Sequence, residues 1–541
     1  MSKKKIYFIS DYFVDEVLGG GELNDDQLIT ILGDLGYDIN PVKSSALTID
    51  SIEDQENAFY IISNFCHMSL AVREKLTYEC EYVIYEHDHK YLSTRNPVHF
   101  KDFCAPAASL RNYFFYKNAK KVFCQTSFHR DILLKNLDID NVISVGGNLW
   151  STGVLTKLRE LSKRQKQEKV SILDSHIDHK NTLKTVQYCK QNSIDYDLVK
   201  DNNYEAFLDK LGKNKKLVFF PKSPETLSRV VCEARMMGMG VILNQMVGAS
   251  HEPWFELKGE ELIDYMVEKR QEISKLIVSA IETGPVKRTD KLISIVATFH
   301  KAEEFIESYM ENITSQTIFD KCELILVDSA SPGKERDIIE EYASRHDNIR
   351  YYRYDEKFPP TEGHNIAIKK SNCKFVVWAM LDDKKSLDGL ETLYNAIKDD
   401  NSIELVYGDC LVTSDKNETV ENTKSTTLSE HSIRHFSREN MIKCLPGPMP
   451  MWRKRLHEGC GFFDQDNRDY ADDWDMWLRA VHSGCVFKKV DKTVGLYLEG
   501  GRSQLENNLD QKREEAALFF KYKDMFGVNS QRYHNYFKQF V

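Results

Sequence analysis

The sequence lacks the features of a membrane-spanning chain and of a disulfide-rich secreted scaffold. Its longest apolar run, Phe375–Leu381, is far shorter than the roughly 20 residues that span a bilayer. The amino-terminal residues have a basic flank but too few apolar side chains for a signal-peptide core. None of the 12 cysteines forms a Cys-x-x-Cys pair. We therefore expect a cytoplasmic protein with reduced thiols, no transmembrane segment and no structural zinc.

A large excess of charge of either sign is missing as well. The 541 residues include 73 Lys and Arg and 83 Asp and Glu, a net charge of −10, which excludes a uniformly basic nucleic-acid coat protein. The average hides an asymmetry, because residues 1–100 carry 8 basic and 17 acidic side chains, whereas residues 101–250 carry 24 and 15. We expect an anionic ligand at the second stretch, although its basic connector at 157–169 is also typical of a solvated helix face.

Short apolar runs alternate with amphipathic stretches, a pattern that predicts an α/β fold throughout. At about 150 residues per domain, the length allows three or four folded lobes. A basic helical connector at 156–169 separates the first α/β series from a second, and Gly284-Pro285 separates the second from a third. We predict domains at residues 1–155, 168–285 and 289–507, followed by a helical tail at 508–541.

Carboxylates follow two predicted strands in the carboxy-terminal half, and two more open a predicted helix. Asp328 ends one apolar strand, and Asp382 and Asp383 follow another. Open α/β sheets bind ligands at the carboxyl ends of their strands, and paired carboxylates there suit Mg²⁺ or Mn²⁺. Asp472 and Asp473 precede an amphipathic stretch, where an acid is able to act as a general base. Each pair alone is also typical of a surface turn or a helix cap.

These acids belong to a series of landmarks: the strand Ser294–Thr298, Val327-Asp-Ser-Ala-Ser331, Gly363-His-Asn-Ile-Ala-Ile368, Leu381-Asp-Asp-Lys384, Val406-Tyr-Gly-Asp409, Pro446-Gly-Pro-Met449 and Asp472-Asp-Trp-Asp-Met-Trp-Leu-Arg479. In this order, residues 291–503 resemble glycosyltransferase family 2, which has the nucleotide-sugar-binding GT-A fold. The resemblance implies that Asp328 contacts the nucleotide base and that Asp382 and Asp383 form the metal motif, with Asp383 on the cation. It also implies that Asp473, beside Asp472, deprotonates the acceptor hydroxyl in an inverting, in-line displacement.

Three positions depart from the pattern of that family. Lys384 stands where many members have a third Asp, and Ser329-Ala-Ser331 replaces the usual Asp-Gly-Ser. The late metal-binding His expected near Tyr497 is absent, which implies either a weak metal affinity or Glu499 as a substitute ligand.

The amino-terminal half carries a second set of motifs. Gly19-Gly-Gly-Glu22 precedes a helix predicted at Asp25–Leu35, where a glycine-rich turn brings backbone N–H groups to a phosphate. Lys180 follows the first strand of the second series. Glu225 and Glu233 are eight residues apart, with Glu225 at the cap of a helix predicted from Thr226 to Met237. Alone, the glycines are typical of a flexible turn, and the two acids of a cap and a solvated side chain.

Together these motifs resemble glycosyltransferase family 4, which has the two-lobed GT-B fold, over about residues 5–280. By this resemblance Lys180 holds the donor phosphates, Glu225 lies near the transferred sugar and Glu233 contacts the ribose. His176 stands where the family has a phosphate-binding Arg. The donor-contacting residues that the resemblance implies are Gly20, Gly21, His87, Lys180, Glu225 and Glu233.

The leading interpretation is a two-module glycosyltransferase that uses a nucleoside-diphosphate sugar, expected to be UDP-linked, and an acceptor hydroxyl. The GT-A half is the expected catalyst, with Mn²⁺ or Mg²⁺, and the GT-B half is a second transferase or an acceptor platform. The acceptor is a glycan or lipid-linked saccharide or, as the alternative, modified DNA, since some phage GT-B enzymes glycosylate hydroxymethylated cytosine. A non-catalytic carbohydrate-binding scaffold is a third interpretation, which the intact Asp382, Asp383 and Asp473 disfavour. The oligomeric state stays open.

Overall fold

The computed structural model describes residues 4–55, 57–500 and 509–541. The chain folds into two compact α/β units. The first unit comprises Met1–Ala105 and Asn112–Val286, and the second comprises Pro106–Arg111 and Lys287–Val541. The domain limits predicted at 155, 168, 285 and 289 stay predictions. The limit predicted at 507 and 508, and the end of the family resemblance at 503, lie outside the described residues.

The amino-terminal part of the first unit is a parallel sheet with helices between its strands. Its elements are β1 Lys5–Ser10, α1 Gly20–Asp34, β2 Asp38–Lys43, α2 Ile49–Glu53, β3 Phe59–Ile62, α3 Leu70–Glu79, β4 Glu81–Glu86, α4 Tyr113–Lys117, β5 Val122–Cys124, α5 Ser127–Asn136 and β6 Val142–Ser144. Among the described residues the sheet has six strands in the order β2-β1-β3-β4-β5-β6, all parallel. Every residue of β3 is buried, as expected for a strand that is covered on both faces.

The rest of the first unit is a second, smaller parallel sheet. Its elements are α6 Thr152–Ser162, β7 Gln167–Leu173, α7 Thr182–Gln191, β8 Tyr196–Val199, α8 Tyr204–Leu211, β9 Asn214–Phe219, α9 Arg229–Met236, β10 Gly240–Leu243 and α10 Glu260–Glu282. In the part of the chain that is described, the strand order is β10-β9-β7-β8. Helix α10 belongs to two cores, since Leu262 and Met266 pack with the smaller sheet, and Ile273 and Ile277 with the larger one.

The second unit contains one mixed sheet and a carboxy-terminal helix pair. Its elements are β11 Ile293–Phe299, α11 Ile306–Thr314, β12 Cys322–Ser329, α12 Glu335–Arg345, β13 Ile349–Tyr354, α13 Pro360–Lys370, β14 Phe375–Trp378, β15 Lys384–Lys385, α14 Gly389–Ile397, β16 Leu405–Thr413, β17 Met451–Arg453, α15 Arg455–Cys460, α16 Asp472–His482, β18 Phe487–Leu498, α17 Leu509–Tyr522 and α18 Val528–Phe537. Within the described ranges the strand order is β13-β12-β11-β14-β17-β16-β18-β15. Because β11, β12, β13 and β14 are parallel, their carboxyl ends lie along one edge of the sheet.

The predicted strands and helices form with small shifts in their limits. Helix α1 begins at Gly20 rather than Asp25, so the glycine-rich segment is its first turn and not a free loop. Helix α9 begins at Arg229 rather than Thr226, because Ser228 takes a left-handed φ of 77° that interrupts the helix. Strand β2 and several helices, among them α3, α5, α8 and α10, were not predicted. Among the described residues, no helix combines the length and the apolar character that crossing a bilayer requires.

Candidate active site

The second unit contains a cavity of about 910 Å³ at the edge where its parallel strands end. Four of the predicted acids line it: Asp382, Asp383, Asp472 and Asp473. The first two lie just beyond the end of β14, and the other two open α16. The fold therefore brings together two acid pairs that are about 90 residues apart in the sequence.

A hydrogen bond from the backbone of strand β18 holds Asp383 at the sheet. Oδ1 of Asp383 accepts a hydrogen bond from the backbone N–H of Leu498 at 3.2 Å. Burial raises the pKa of Asp383 well above its usual range, and the charge of Asp382 raises it further. Burial also raises the pKa of Asp382. For both carboxylates, burial outweighs the opposing effect of the neighbouring lysine charge.

Lys384 takes the place of a third acid next to this pair. Its side chain is buried, and its Nζ donates to the backbone oxygen of Leu381 at 3.3 Å. Its charge lowers the pKa of both Asp382 and Asp383, but burial outweighs that effect. A fixed ammonium group here weakens, without abolishing, the attraction of the pair for a cation.

Asp472 and Asp473 are neighbours with opposite pKa shifts. Burial acts to raise the pKa of Asp472, but hydrogen bonds and charge from His364 and Thr361 outweigh it and hold the pKa below its usual range. Thr361 donates to Oδ2 of Asp472 at 2.8 Å. Burial and the charge of Asp472 raise the pKa of Asp473 to about 6. A pKa near 6 suits a general base at neutral pH.

Contacts around Asp473 fix the direction of its carboxylate. Its Oδ1 accepts from the backbone N–H of Trp474 at 2.6 Å, and its Oδ2 accepts from Sγ of Cys444 at 3.3 Å. Cys444 also lines the cavity, and burial raises its pKa well above the usual range. The thiol is therefore a neutral donor.

A glycine permits the close packing that places His364 at the cavity. A Cβ on Gly363 would come within 2.1 Å of Oγ1 of Thr298, so a larger residue would push α13 away from β11. The next residue, His364, then lies with its Nδ1 at 3.9 Å from Oδ2 of Asp472 and its ring against Trp378. Both residues stand inside a quoted motif, so the sequence carried a signal for His364 as well.

Sequence reasoning missed several other residues of the cavity. Lys301, next to a strand end, and Lys443, before Cys444, are the cationic side chains that line it together with His300 and His431. No spacing in the sequence marked these residues, because they come from irregular segments that only the fold brings together. The positive charge of the two lysines suits an anionic ligand.

Asp328 lies outside the lining of this cavity, although it ends the neighbouring strand. Its carboxylate is fully buried and accepts from Ser331 N–H at 2.8 Å, from Tyr351 Oη at 2.7 Å and from an Arg353 nitrogen at 3.0 Å. The structure thus gives Asp328 three protein partners. A nucleotide base would have to share them.

In the first unit, the predicted glycines make room for side chains. A Cβ on Gly20 would lie 3.2 Å from Cδ of Arg229, and one on Gly21 would lie 3.5 Å from Cγ of His87. His87 is itself paired on both ring nitrogens, with Asp25 at 2.8 Å and with Gln125 at 2.5 Å. These three predicted residues therefore lie together, next to α9.

The other three predicted residues of the first unit are engaged with protein partners. Nζ of Lys180 lies 2.8 and 3.0 Å from the two carboxylate oxygens of Glu225. Glu233 is only 2% exposed and accepts from Trp150 Nε1 at 3.0 Å and from Tyr204 Oη at 2.5 Å. Arg229 approaches the same oxygen of Glu233 at 3.4 Å.

The basic connector of the first unit is also paired. Lys157 and Arg164 both approach Asp209, at 3.1 and 3.4 Å. Lys163 contacts Glu260 at 3.0 Å. This is the pattern of a solvated helix face rather than of a footprint for an anionic polymer.

A divalent cation fits Asp382 and Asp383. Among the described residues, no three His, Cys, Asp or Glu side chains come together as a ready metal cage, and Glu499 is exposed. Mg²⁺ sites that use substrate phosphates need only one or two protein carboxylates, because phosphate oxygens and water complete the shell. The pair of hard oxygen donors at this strand end meets that requirement.

A comparison with protein families finds a match within the second unit. The model described as Glycosyl transferase family 2 matches residues 294–460, which therefore form a family 2 domain. The two-lobed GT-B interpretation of the first unit is not confirmed.

Two of the curated relatives with glycosyltransferase names illustrate the similarity. A cholesterol galactosyltransferase of Borreliella burgdorferi is 26% identical over 110 residues, which are 20% of this chain and 30% of that protein. A putative teichuronic acid biosynthesis glycosyltransferase of Bacillus subtilis, TuaG, is 26% identical over 100 residues, which are 18% of this chain and 39% of that protein. The chain thus spans well under half the length of either relative. The family match and these names support a transferase enzyme.

Two solved structures are similar at a low level. S. aureus TarS 1–349 in complex with UDP-GlcNAc has 16% identity and a TM-score of 0.35, over 42% of this chain and 66% of that chain. The mannosyltransferase PcManGT from Pyrobaculum calidifontis, in complex with GDP-Man and Mn²⁺, has 17% identity and a TM-score of 0.34, over 46% of this chain and 73% of that chain. At TM-scores this low, neither likeness supports an inference about this chain.

Proposed function

We propose that the second unit transfers a sugar from a nucleoside-diphosphate sugar to a hydroxyl group of a glycan or lipid-linked saccharide. The observation that carries the proposal is the convergence of Asp382, Asp383, Asp472 and Asp473 on one cavity, within and next to the family 2 domain at 294–460. The two acid pairs are the parts that such a reaction needs: oxygen ligands for a donor-bound cation and a base for the acceptor.

In this proposal Asp473 removes the proton of the acceptor hydroxyl as its oxygen attacks the anomeric carbon. The bond from that carbon to the nucleoside diphosphate breaks on the opposite side, so the configuration inverts. Asp472 stays ionised, because Thr361 and His364 hold its pKa low, and its charge keeps Asp473 basic. Lys301 and Lys443 are placed to attract the anionic donor.

Asp383 and Asp382 would hold Mn²⁺ or Mg²⁺. Bound there, the cation would neutralise charge on the leaving diphosphate. The neighbouring Lys384 supplies part of the same positive charge from the protein, so we expect a cation affinity lower than that of a site with three acids.

The first unit stays part of the proposal as a GT-B-like module that is a second transferase or an acceptor platform. Its support is the pair of all-parallel sheets within one unit and the helix α10 that belongs to both cores. A UDP-linked donor and a glycan or lipid-linked acceptor are in keeping with relatives named for galactosyl transfer and for teichuronic acid synthesis. Neither a DNA acceptor nor a non-catalytic scaffold gains support from the comparisons.

The experiment is a panel of UDP- and GDP-sugars tested for hydrolysis and transfer, with EDTA and then with added Mn²⁺ or Mg²⁺. We expect one donor class to be used, EDTA to stop the reaction and Mn²⁺ to restore it. Loss of a hydrogen-bond partner of a metal ligand already costs about 10–100-fold in metal affinity, so Asp383→Asn should need about 100-fold more Mn²⁺. Asp388→Asn, which removes a nearby acid outside the cavity lining, is the control and should behave as wild type. Full activity in EDTA would contradict the metal assignment, and no use of any donor would contradict the proposed function.

A further inference from the structure

The carboxy-terminal helix pair supplies one wall of the cavity that holds the four acids. Gln511 and Glu515 of α17 and Tyr533, Tyr536 and Phe537 of α18 all line it. These residues lie beyond the segment 294–460 that the family match covers. The wall is therefore a feature of this chain that the family match does not explain.

Several contacts fix the helix pair against the helix that carries the proposed base. The carboxylate of Glu514 accepts three backbone N–H groups, from Asp469 at 3.0 Å, from Tyr470 at 3.2 Å and from Ala471 at 3.0 Å. These three residues immediately precede Asp472. The ring of Trp474 stacks on Phe526 with centroids 6.4 Å apart. The wall and Asp473 thus belong to one packed body.

We propose that this wall is the acceptor subsite, where Tyr533 and Tyr536 pack against the face of a saccharide ring and Glu515 accepts hydrogen bonds from its hydroxyl groups. The proposal rests on the proposed function of the second unit. A sugar bound against α18 would share the cavity with Asp473, which is the position that a base needs with respect to an acceptor hydroxyl.

The chemistry of the wall favours a sugar over other acceptors. Aromatic rings offer a flat apolar surface with a polar handle at the tyrosine hydroxyl, and Tyr536 is 45% exposed. Nε2 of Gln511 donates to Oε1 of Glu515 at 3.0 Å, which fixes the carboxylate. Among the described cavity residues of α17 and α18 there is no Lys or Arg, so these two helices offer a phosphate backbone the acid Glu515 and no cation of their own. Neutral hydroxyl groups fit this set.

The cavity is large for a ligand site. Sites for one small molecule span roughly 300–1,000 Å³, and this cavity, at about 910 Å³, lies near the upper end of that range. A donor diphosphate would occupy the part near Asp382 and Asp383. The part lined by α17 and α18 then remains for the acceptor.

The test is a kinetic comparison in the full chain, with methyl glycosides and methyl disaccharides as acceptors and the donor identified by the panel above. The doubly substituted variant Tyr533→Ala, Tyr536→Ala should raise the acceptor KM about tenfold, and Glu515→Gln should raise it as well. Donor hydrolysis without acceptor and the Kd for UDP should stay within twofold of wild type. Phe520→Ala removes an aromatic ring of α17 that lies outside the cavity lining and is the matched control.

The outcomes separate the inference from the proposed function. An unchanged acceptor KM in a double variant that binds UDP normally would overturn the inference and leave the proposed function standing. A double variant that binds lipid vesicles less well than wild type, but keeps the wild-type KM for methyl glycosides, would also overturn the inference. If the double variant does not fold, Tyr536→Ala alone changes an exposed ring and carries the same expectation. A wild-type chain that neither binds nor uses a nucleotide sugar would overturn both proposals.

Discussion

The motif residues of the two units lie in different surroundings. In the second unit, Asp382, Asp383, Asp472 and Asp473 face a cavity. In the first unit, Glu225 is paired with Lys180, and the buried Glu233 binds side chains of its own unit. Both sets match the residue types of a glycosyltransferase motif. They differ in whether the carboxylates line a cavity that a ligand could enter.

This difference shows that a functional motif depends on what its side chains face. A carboxylate that already accepts hydrogen bonds from protein donors gives up those bonds when it binds a ligand, and each costs about 1 kcal/mol or more. The cavity acids also accept protein hydrogen bonds, as Asp383 does from Leu498 and Asp472 from Thr361, but they line a space that a ligand could enter. We therefore place the transfer reaction in the second unit, and the predictions below test that contrast.

The largest effect is expected from Asp473→Asn, which removes the proposed base. General acid–base catalysis contributes about 10²–10⁴-fold, so kcat should fall about 1,000-fold with little change in the Kd for the donor. Asp466→Asn, the same change at an exposed acid outside the cavity lining, is the control. The measurement is the rate of sugar transfer at saturating donor.

A substitution in the first unit, measured with the same transfer assay, completes the comparison. Glu225→Gln should leave this reaction within twofold of wild type, because its carboxylate pairs with Lys180 and does not line the cavity of the second unit. Loss of transfer in Glu225→Gln with retention in Asp473→Asn would reverse our assignment of the reaction to the second unit.

A smaller effect is expected in the pH profile. Asp473 must be ionised to act as a base, and its pKa is raised to about 6. The rate should therefore be constant at neutral pH and fall tenfold per pH unit below about pH 6. Because the charge of Asp472 contributes to the raised pKa, Asp472→Asn should lower the pKa of Asp473 and move the acid limb to lower pH. A limb at the same pH in Asp472→Asn would mean that another group titrates.

Much of the fold was predictable from the sequence. Apolar runs such as Phe59–Ile62 and Cys322–Ser329 form buried strands, because continuous apolar runs fit strands that are covered on both faces. The edge strand β2 escaped prediction, since Asp38–Lys43 is polar, contains Pro41 and has no fully buried residue. Its position depends on parallel pairing with β1, which no local pattern encodes.

The candidate site was predictable where one motif carries several of its residues. Leu381-Asp-Asp-Lys384 and Asp472-Asp473 mark acids at a strand end and a helix start, and those positions do line the cavity. Lys301, Lys443 and Tyr536 were not predictable, because each comes alone from a segment without a motif. The reverse failure is Glu233, whose spacing fits a ligand-binding helix but whose burial among Trp150 and Tyr204 depends on tertiary packing.

The smallest effect on transfer, and a large one on stability, is expected from Glu233→Ala. This change would leave Trp150 Nε1 and Tyr204 Oη without their acceptor and Arg229 without its partner. Removing one member of a buried ion pair costs about 3–5 kcal/mol. The Lys180–Glu225 pair, with side chains 24% and 12% exposed, is less buried than Glu233, so Glu225→Ala should be the milder variant. Hydrogen exchange of peptides from α9 measures the opening free energy of this segment directly. Equal protection in both variants would show that the burial of Glu233 does not stabilise the first unit, and the contrast between paired and cavity-facing acids would then lose its energetic basis.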